Sequence, residues 1–237
     1  MKNHSSGIWI TGASSGIGKA ASKEFARTGS KVFVSARRKS ELERLNNELK
    51  EENLSVEIFP CNIASSSNVD QTAKKILSTN KIDCLINSAG ITLFKLAAEN
   101  SINEIDDIIH TNLLGPIYSI KSVLPSMIKQ NGGTIINILS AVTKKVFIQS
   151  SAYSASKHGL IGYTNSLREE VRKHNVRIIN VIPGATQTPM WTSEMREKYG
   201  DRMMTAEEIA QVIVWLYLQK GNLVTEEIVL RPMLGDL

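Results

Sequence analysis

Residues 7–18, GIWITGASSGIG, carry the reading of the fold. The first five form a short apolar run that reads as a buried strand. A glycine-rich turn follows at residues 11–18. A helical pattern then runs through Arg27, with Gly29 as its stop. In this strand–turn–helix setting Gly12 permits a tight turn, Gly16 lets the backbone approach a pyrophosphate, and Gly18 lets helix and strand pack closely. The helix N-terminus offers free N–H groups and a positive dipole end to a phosphate. Three residues separate the first two glycines, where the common dinucleotide fingerprint has one.

Outward from this turn, strand and helix patterns alternate. KVFVSA (31–36) is a second strand. Ser40 and Glu43 read as a capping box ahead of Leu42, Leu45 and Leu49, which share one helical face. VEIFPC (56–61) is a third strand, followed by a helix from about Asn68 to Ser78. DCLINSAG (83–90) is a fourth strand with its turn. Ser101 and Glu104 form a second capping box, opening a long helix to about Gln130. GTIINILS (133–140) is the fifth strand. A helix holding Tyr153 continues to about His174, with Leu160, Ile161, Thr164, Leu167 and Val171 on its inner face. VRIINVIP (176–183) is the sixth strand, Thr205 and Glu208 cap a last long helix, and EEIVLRP (226–232) is the seventh strand. Apolar strands alternating with amphipathic helices predict an α/β fold, a parallel sheet covered on both faces. Right-handed crossovers make it doubly wound. No repeat or linker interrupts the pattern, so one domain over 1–237 is expected.

Composition narrows the class. Of 237 residues, 42% are hydrophobic and 22% charged, as in soluble globular proteins. No apolar run reaches the roughly 18 residues of a membrane span, and glycine and threonine interrupt the first apolar stretch, so a cytoplasmic protein with no membrane partner is expected. The net charge of +5 is spread along the chain. Arg37-Arg38 and Lys144-Lys145 are short pairs, too small for a nucleic-acid surface. Cys61 and Cys84 lie in strand-like runs and read as buried free thiols. The four histidines show no metal-ligand spacing: His110 and His158 lie within helical patterns, while His4 and His174 read as surface residues.

A second stretch carries chemistry. In SAVTKKVFIQSSAYSASK (140–157), Tyr153 and Lys157 are four apart and share a helix face. A phenol titrates near ~10, and an adjacent ammonium favours its phenolate, which would let Tyr153 exchange a proton near neutral pH. Ser140 sits where a parallel strand ends, the usual place for ligands in such sheets. Pro116 lies four residues after Asn112 and has no N–H for the Asn112 carbonyl, so the helix should kink there.

Six elements in this order and spacing resemble the short-chain dehydrogenase/reductase family: TGASSGIG, NSAG at 87–90, Asn112, Ser140, YSASK at 153–157, and PGATQT at 183–188. The resemblance runs from Gly7 to about Pro232. It implies a single Rossmann-type domain, a nicotinamide-dependent oxidoreductase interconverting a carbonyl and an alcohol, and a homodimer or homotetramer. Tyr153 then resembles the general acid/base, Lys157 the residue that tunes it and holds the nicotinamide ribose, and Ser140 the partner of the substrate oxygen. Asn112 resembles the asparagine that holds a water leading to Lys157; the alternative is that it only stabilises the kink. The implied cofactor contacts begin with Gly12, Ser14, Ser15, Gly16, Ile17 and Gly18. Asn62 and Ile63 resemble the adenine contact, and Asn87, Ser88, Ala89 and Gly90 the adenosine side of the site. Pro183, Gly184, Thr186 and Thr188 match the loop that meets the nicotinamide amide.

Two features bear on specificity. At the end of strand two an acidic residue would bond a ribose 2′-hydroxyl and favour NAD, whereas arginine accommodates a 2′-phosphate. Ala36, Arg37 and Arg38 stand there, which predicts NADP(H) over NAD(H); the alternative is that the arginines are ordinary loop charges. Residues 91–96, 141–147 and 185–199 are the expected substrate walls, with Met190, Trp191 and Met195 either lining an apolar pocket or packing a lid. The 3-oxoacyl thioester reductases of the family usually end in a glycine-rich segment, and EEIVLRPMLGDL differs from it. A regulatory protein that binds NADP without turnover is the other class of function compatible with the fold.

Overall fold

The computed structural model describes residues 6–237; His4 and the other residues of 1–5 lie outside it. In chain order the elements are β1 (Gly7–Thr11), α1 (Gly16–Arg27), β2 (Lys31–Ser35), α2 (Lys39–Glu51), β3 (Glu57–Ile58), α3 (Ser66–Leu77) and β4 (Cys84–Asn87). Then come α4 (Ile102–Ile109), α5 (Gly115–Lys129), β5 (Gly133–Ile138), α6 (Ser151–Val171), β6 (Val176–Pro183), α7 (Ser193–Tyr199), α8 (Ala206–Leu218) and β7 (Glu227–Leu230). The seven strands form one parallel sheet in the order β3-β2-β1-β4-β5-β6-β7. This is the doubly wound, Rossmann-type α/β fold expected.

Period-two alternation assigns each strand residue to a face. Ile8, Ile10, Val32, Val34, Ile86, Ile136 and Ile179 pack against α1, α2 and α8, through Phe25, Leu45, Ile209 and Ile213. Trp9, Phe33, Leu85, Ile135 and Ile178 pack against α3, α5 and α6, through Ile76, Val123 and Leu167. The sheet changes winding direction between β1 and β4, so a crevice opens at their carboxyl ends. Gly12 turns the chain there at φ +71°, and a Cβ on it would stand 2.6 Å from the Ala89 Cα of the turn after β4. A Cβ on Gly18 would meet the Gly12 carbonyl oxygen at 2.4 Å, so only glycine lets α1 start this close to β1.

Local departures have physical causes. Ser101–Glu104 and Thr205–Glu208 are capping boxes as expected. The pair at Ser40 and Glu43 is not: α2 already begins at Lys39, with Arg38 in extended conformation as its cap, so Ser40 lies inside the helix. β3 keeps only two residues. The long helix after Ser101 is divided by a π-helical turn over His110–Leu114, where the Gly115 N–H reaches back to the His110 carbonyl. Such turns interrupt the regular ladder, and Pro116 just beyond has no N–H to restore it. Cys61 and Cys84 are buried free thiols. His110 and His158 are exposed, while His174 is half-buried rather than on the surface. Among the described residues, no helix is long and apolar enough to cross a membrane.

Candidate active site

The crevice leads into a cavity of about 1040 Å³ that runs along the carboxyl edge of the sheet. Its floor at one end is the start of α1. Ser15 caps that helix without a side-chain hydrogen bond, and no acidic residue occupies its first turn. Free N–H groups and a positive dipole end therefore face the cavity beside Ser14, Ser15, Gly16 and Ile17. The chemistry of this cradle fits a dinucleotide pyrophosphate, and the missing Cβ atoms of Gly12 and Gly16 let the turn pack against the loops after β4 and β6. Ala36, Arg37 and Arg38, after β2, stand on the same wall with Asn62 and Ile63. Both arginines are exposed, and among the described residues neither takes part in an ion pair.

Ser88, Ala89 and Gly90 continue the wall after β4, and Pro183, Gly184, Thr186 and Thr188 close it after β6. A Cβ on Gly16 would stand 3.0 Å from Thr188 Cγ2, so the loop after β6 lies against the glycine turn. Thr186 is held in place by its hydroxyl, which donates to the Gly184 carbonyl at 3.0 Å, and by a strand-like bridge to Met204.

Ser140, Tyr153 and Lys157 meet on the wall between these ends. The Lys157 Nζ lies 5.8 Å from the Tyr153 ring centroid and donates to the Ile138 carbonyl at 2.8 Å. Sequence predicts that Lys157 lowers the phenol's pKa, but the structure reverses the direction. Burial pushes Tyr153 above its ordinary value, and only the neighbouring Ser140 hydroxyl works the other way. Lys157 is fully enclosed too, and loss of solvation pushes its ammonium down to about 8. The amine is committed to the strand carbonyl, so it compensates little of the phenol's burial.

This shift has a measurable consequence in the cofactor-free protein. Unfolded, Lys157 keeps its proton to its ordinary value of 10.5; folded, only to about 8. Below 8 both states are protonated, and the cost of the buried charge is fully present. Between the two values the unfolded chain binds more proton, so the free energy of unfolding rises with pH. In urea unfolding followed from pH 7 to 10, the wild type is expected to gain stability relative to Lys157→Met as pH passes 8. The two proteins share every other titrating group, so parallel pH curves would show that Lys157 is not burdened by burial.

Three residues expected at the site do not line the cavity: Gly18, Asn87 and Asn112. Gly18 lies beneath the turn. Asn112 is fully buried; its Oδ1 accepts from Ile91 N at 2.9 Å, and its Nδ2 donates to Ile91 O at 2.8 Å and to Ser156 Oγ at 3.1 Å. A Cβ on Gly90 would stand 3.4 Å from Asn112 Oδ1 and 3.7 Å from Lys157 Nζ, so both groups flank one small gap. Asn87 belongs instead to a buried row. Ser119 Oγ donates to Asn87 Oδ1 (2.6 Å), Asn87 Nδ2 to Asn137 Oδ1 (2.9 Å), Asn137 Nδ2 to Asn180 Oδ1 (3.3 Å), and Asn180 Nδ2 to Thr164 Oγ1 (3.0 Å). This row ties α5 and α6 to three strands behind the cavity.

The far end of the cavity is apolar and aromatic. Phe94 lies 6.2 Å from Trp191 at 30° and 6.5 Å edge-on to Tyr153, with Met190 and Met195 nearby, so these residues line a pocket. Sequence reasoning missed Arg202, Asp236 and Leu237, which also line it. The unusual terminal sequence was the available signal.

The model of the short chain dehydrogenase family matches residues 7–199. The chain belongs to that family. The sepiapterin reductase of Chlorobaculum tepidum is 35% identical over 238 residues, covering 97% of each chain. A metagenomic short-chain oxidoreductase solved in complex with NADP superposes with a TM-score of 0.85 at 29% identity, covering 96% of this chain and 97% of the other. An alcohol dehydrogenase from Thermococcus sibiricus, complexed with 5-hydroxy-NADP, superposes at 0.87 with 26% identity and 97% coverage of both. This short chain dehydrogenase is thus an oxidoreductase whose compared structures carry NADP-type cofactors at a shared fold. No group of three or more potential metal ligands occurs among its described residues.

Proposed function

We propose that this single-domain short chain dehydrogenase is an NADP(H)-dependent carbonyl reductase, and that Tyr153 is its proton donor. The observation that carries the reading is the buried Tyr153 phenol opening, beside Ser140, onto the cavity that begins at the bare N-terminus of α1. A bound nicotinamide would supply the hydride; the protein's own part is the proton and the positioning. Burial keeps the proton on Tyr153 at neutral pH, which suits an acid that protonates a carbonyl oxygen. Ser140 Oγ would hold the same oxygen. Lys157 and the Asn112 turn, flanking Gly90, would hold the ribose and a water behind the phenol. Arg37 and Arg38, unpaired by any carboxylate among the described residues, are the proposed partners of a 2′-phosphate.

The flat apolar walls made by Phe94, Trp191 and Met190 favour a ketone on an aromatic body. The names of the compared proteins, a reductase and an alcohol dehydrogenase, agree with carbonyl–alcohol chemistry. The proposed assembly is a homodimer or homotetramer. Trp215, Leu218 and Val229, on α8 and the edge strand β7, are apolar surface open to a second copy. The decisive experiment is a panel of aromatic and aliphatic ketones and aldehydes with NADPH, followed by nicotinamide absorbance. Aromatic ketones are expected to be consumed fastest. NADPH binding with no oxidation by any carbonyl, and no reduction of NADP by alcohols, would instead leave a binding protein.

A further inference from the structure

The segment after β7 departs from the glycine-rich ending of the thioester reductases, and the chemistry above gives it no role. In the structure, residues 231–237 turn back to the far end of the cavity, where Asp236 and Leu237 form part of the wall. Pro232 is buried against Gly184, and the Gly235 N–H closes a turn onto the Pro232 carbonyl at 2.9 Å. Within that turn little apolar burial holds the segment, because Met233 is 98% and Leu234 73% exposed. Charge holds it instead. The Asp236 carboxylate accepts from Arg231 and from Lys145 Nζ at 3.2 Å, and its backbone carbonyl accepts from Arg202 Nη2 at 3.3 Å. Its side chain is only 11% exposed. Burial works against the carboxylate, but Arg231 and Lys145 outweigh it and hold Asp236 below its ordinary range.

The three cations come from three separate segments: Lys145 from the loop after β5, whose Phe147 and Ile148 line the cavity, Arg202, itself on the cavity wall, from just beyond α7, and Arg231 from the end of β7. One residue therefore draws these segments together, Lys145 and Arg231 through its carboxylate and Arg202 through its main-chain carbonyl. We propose that residues 231–237 are a strap latched through Asp236, which closes the substrate end of the cavity and sets the size of carbonyl compound admitted. This rests on the carbonyl reductase reading. A strap held by ion pairs and little apolar area belongs to the low-stability end of a structure, so losing one charge should release it.

The test compares Asp236→Asn, Arg231→Gln and Lys145→Gln with the wild type. Two substrates are used, a compact aromatic ketone (acetophenone) and a bulky one (benzophenone). The ratio of kcat/KM, bulky over compact, is expected to rise by about three- to fivefold in each variant, the effect of losing one partly exposed ion pair. Amide hydrogen exchange at 234–237 is expected to speed up to a similar degree, about three- to fivefold, in the same proteins. An unchanged ratio in Asp236→Asn would overturn the strap as a selector. A change confined to Asp236→Asn, with the two cation variants silent, would make Asp236 a substrate contact and overturn the latch. If none of the proteins reduces any carbonyl, the functional reading fails on its own. Exchange then still decides the latch: faster exchange in all three variants supports it, and unchanged exchange removes it.

Discussion

Tyr153→Phe is expected to cut carbonyl reduction by about a thousandfold, within the range for loss of a positioned general acid, while NADPH binding stays near wild type. The ring is buried on α6 and packs edge-on against Phe94 at 6.5 Å. Phenylalanine keeps that packing and removes only the hydroxyl, so the fold and the pocket should survive. Lys157 is unaffected in its bond to the Ile138 carbonyl, and the cradle at α1 is remote from the change. The measurement pairs kcat/KM on an accepted ketone with a fluorescence titration of NADPH. A variant within tenfold of the wild type would mean that another group donates the proton. In the wild type, burial keeps the phenol protonated beyond the ordinary tyrosine range, so reduction should persist into alkaline solution and fall only when that proton is lost.

The second large effect concerns the cofactor. Arg37 stands free on the cavity wall, and Ala36, nearly buried at the end of β2, offers no carboxylate. A charge-assisted bond from Arg37 to a 2′-phosphate is worth about 1.5–3 kcal/mol, which predicts a preference for NADPH over NADH of roughly ten- to a hundredfold. Ala36→Asp with Arg37→Ile removes that attraction and adds a repulsion, so the preference should invert. The check is kcat/KM for both cofactors in both proteins with one shared ketone. A wild type that prefers NADH would refute the role of Arg37 and leave the oxidoreductase assignment intact. A ratio that the double change does not move would place the 2′-phosphate on Ser14, Ser15 or Arg38.

The fold was legible because its signals are local. Apolar runs of strand length, glycines at forced turns and two of three capping boxes all report backbone conformation within a few residues. The exception, Ser40 with Glu43, carries the right side chains one residue inside a helix that starts earlier, which pattern alone cannot distinguish. The positions of Ser140, Tyr153 and Lys157 were legible for the same reason, since strand end and helix face bring them together. Their ionisation was not. It depends on burial, and on a carbonyl from β5 that lies 19 residues before Lys157. Asn87 was assigned to the cofactor by its motif, yet its amide partners lie 32 and 50 residues away. Asp236 meets Lys145 across 91 residues, and no local pattern announces such a pair.

The row of amides behind the cavity also bears on how the sheet can assemble. β4, β5 and β6 read CLIN, GTIINI and VRIINVIP, with isoleucine or leucine beside isoleucine before each asparagine. Strands apolar on both faces have no alternation to forbid sliding, because a shifted isoleucine still meets an isoleucine. The asparagines remove that ambiguity. Asn87 pairs with Asn137, and Asn137 with Asn180, at the same level in three neighbouring strands. A slip of β5 by two residues would set Asn137 opposite Leu85 and strand its amide in hydrocarbon, at a cost of about 1–3 kcal/mol for each orphaned group. Only one alignment of the three strands closes the chain from Ser119 to Thr164. The amides thus serve as a key cut for a single register, in a sheet whose greasy surfaces would otherwise accept several.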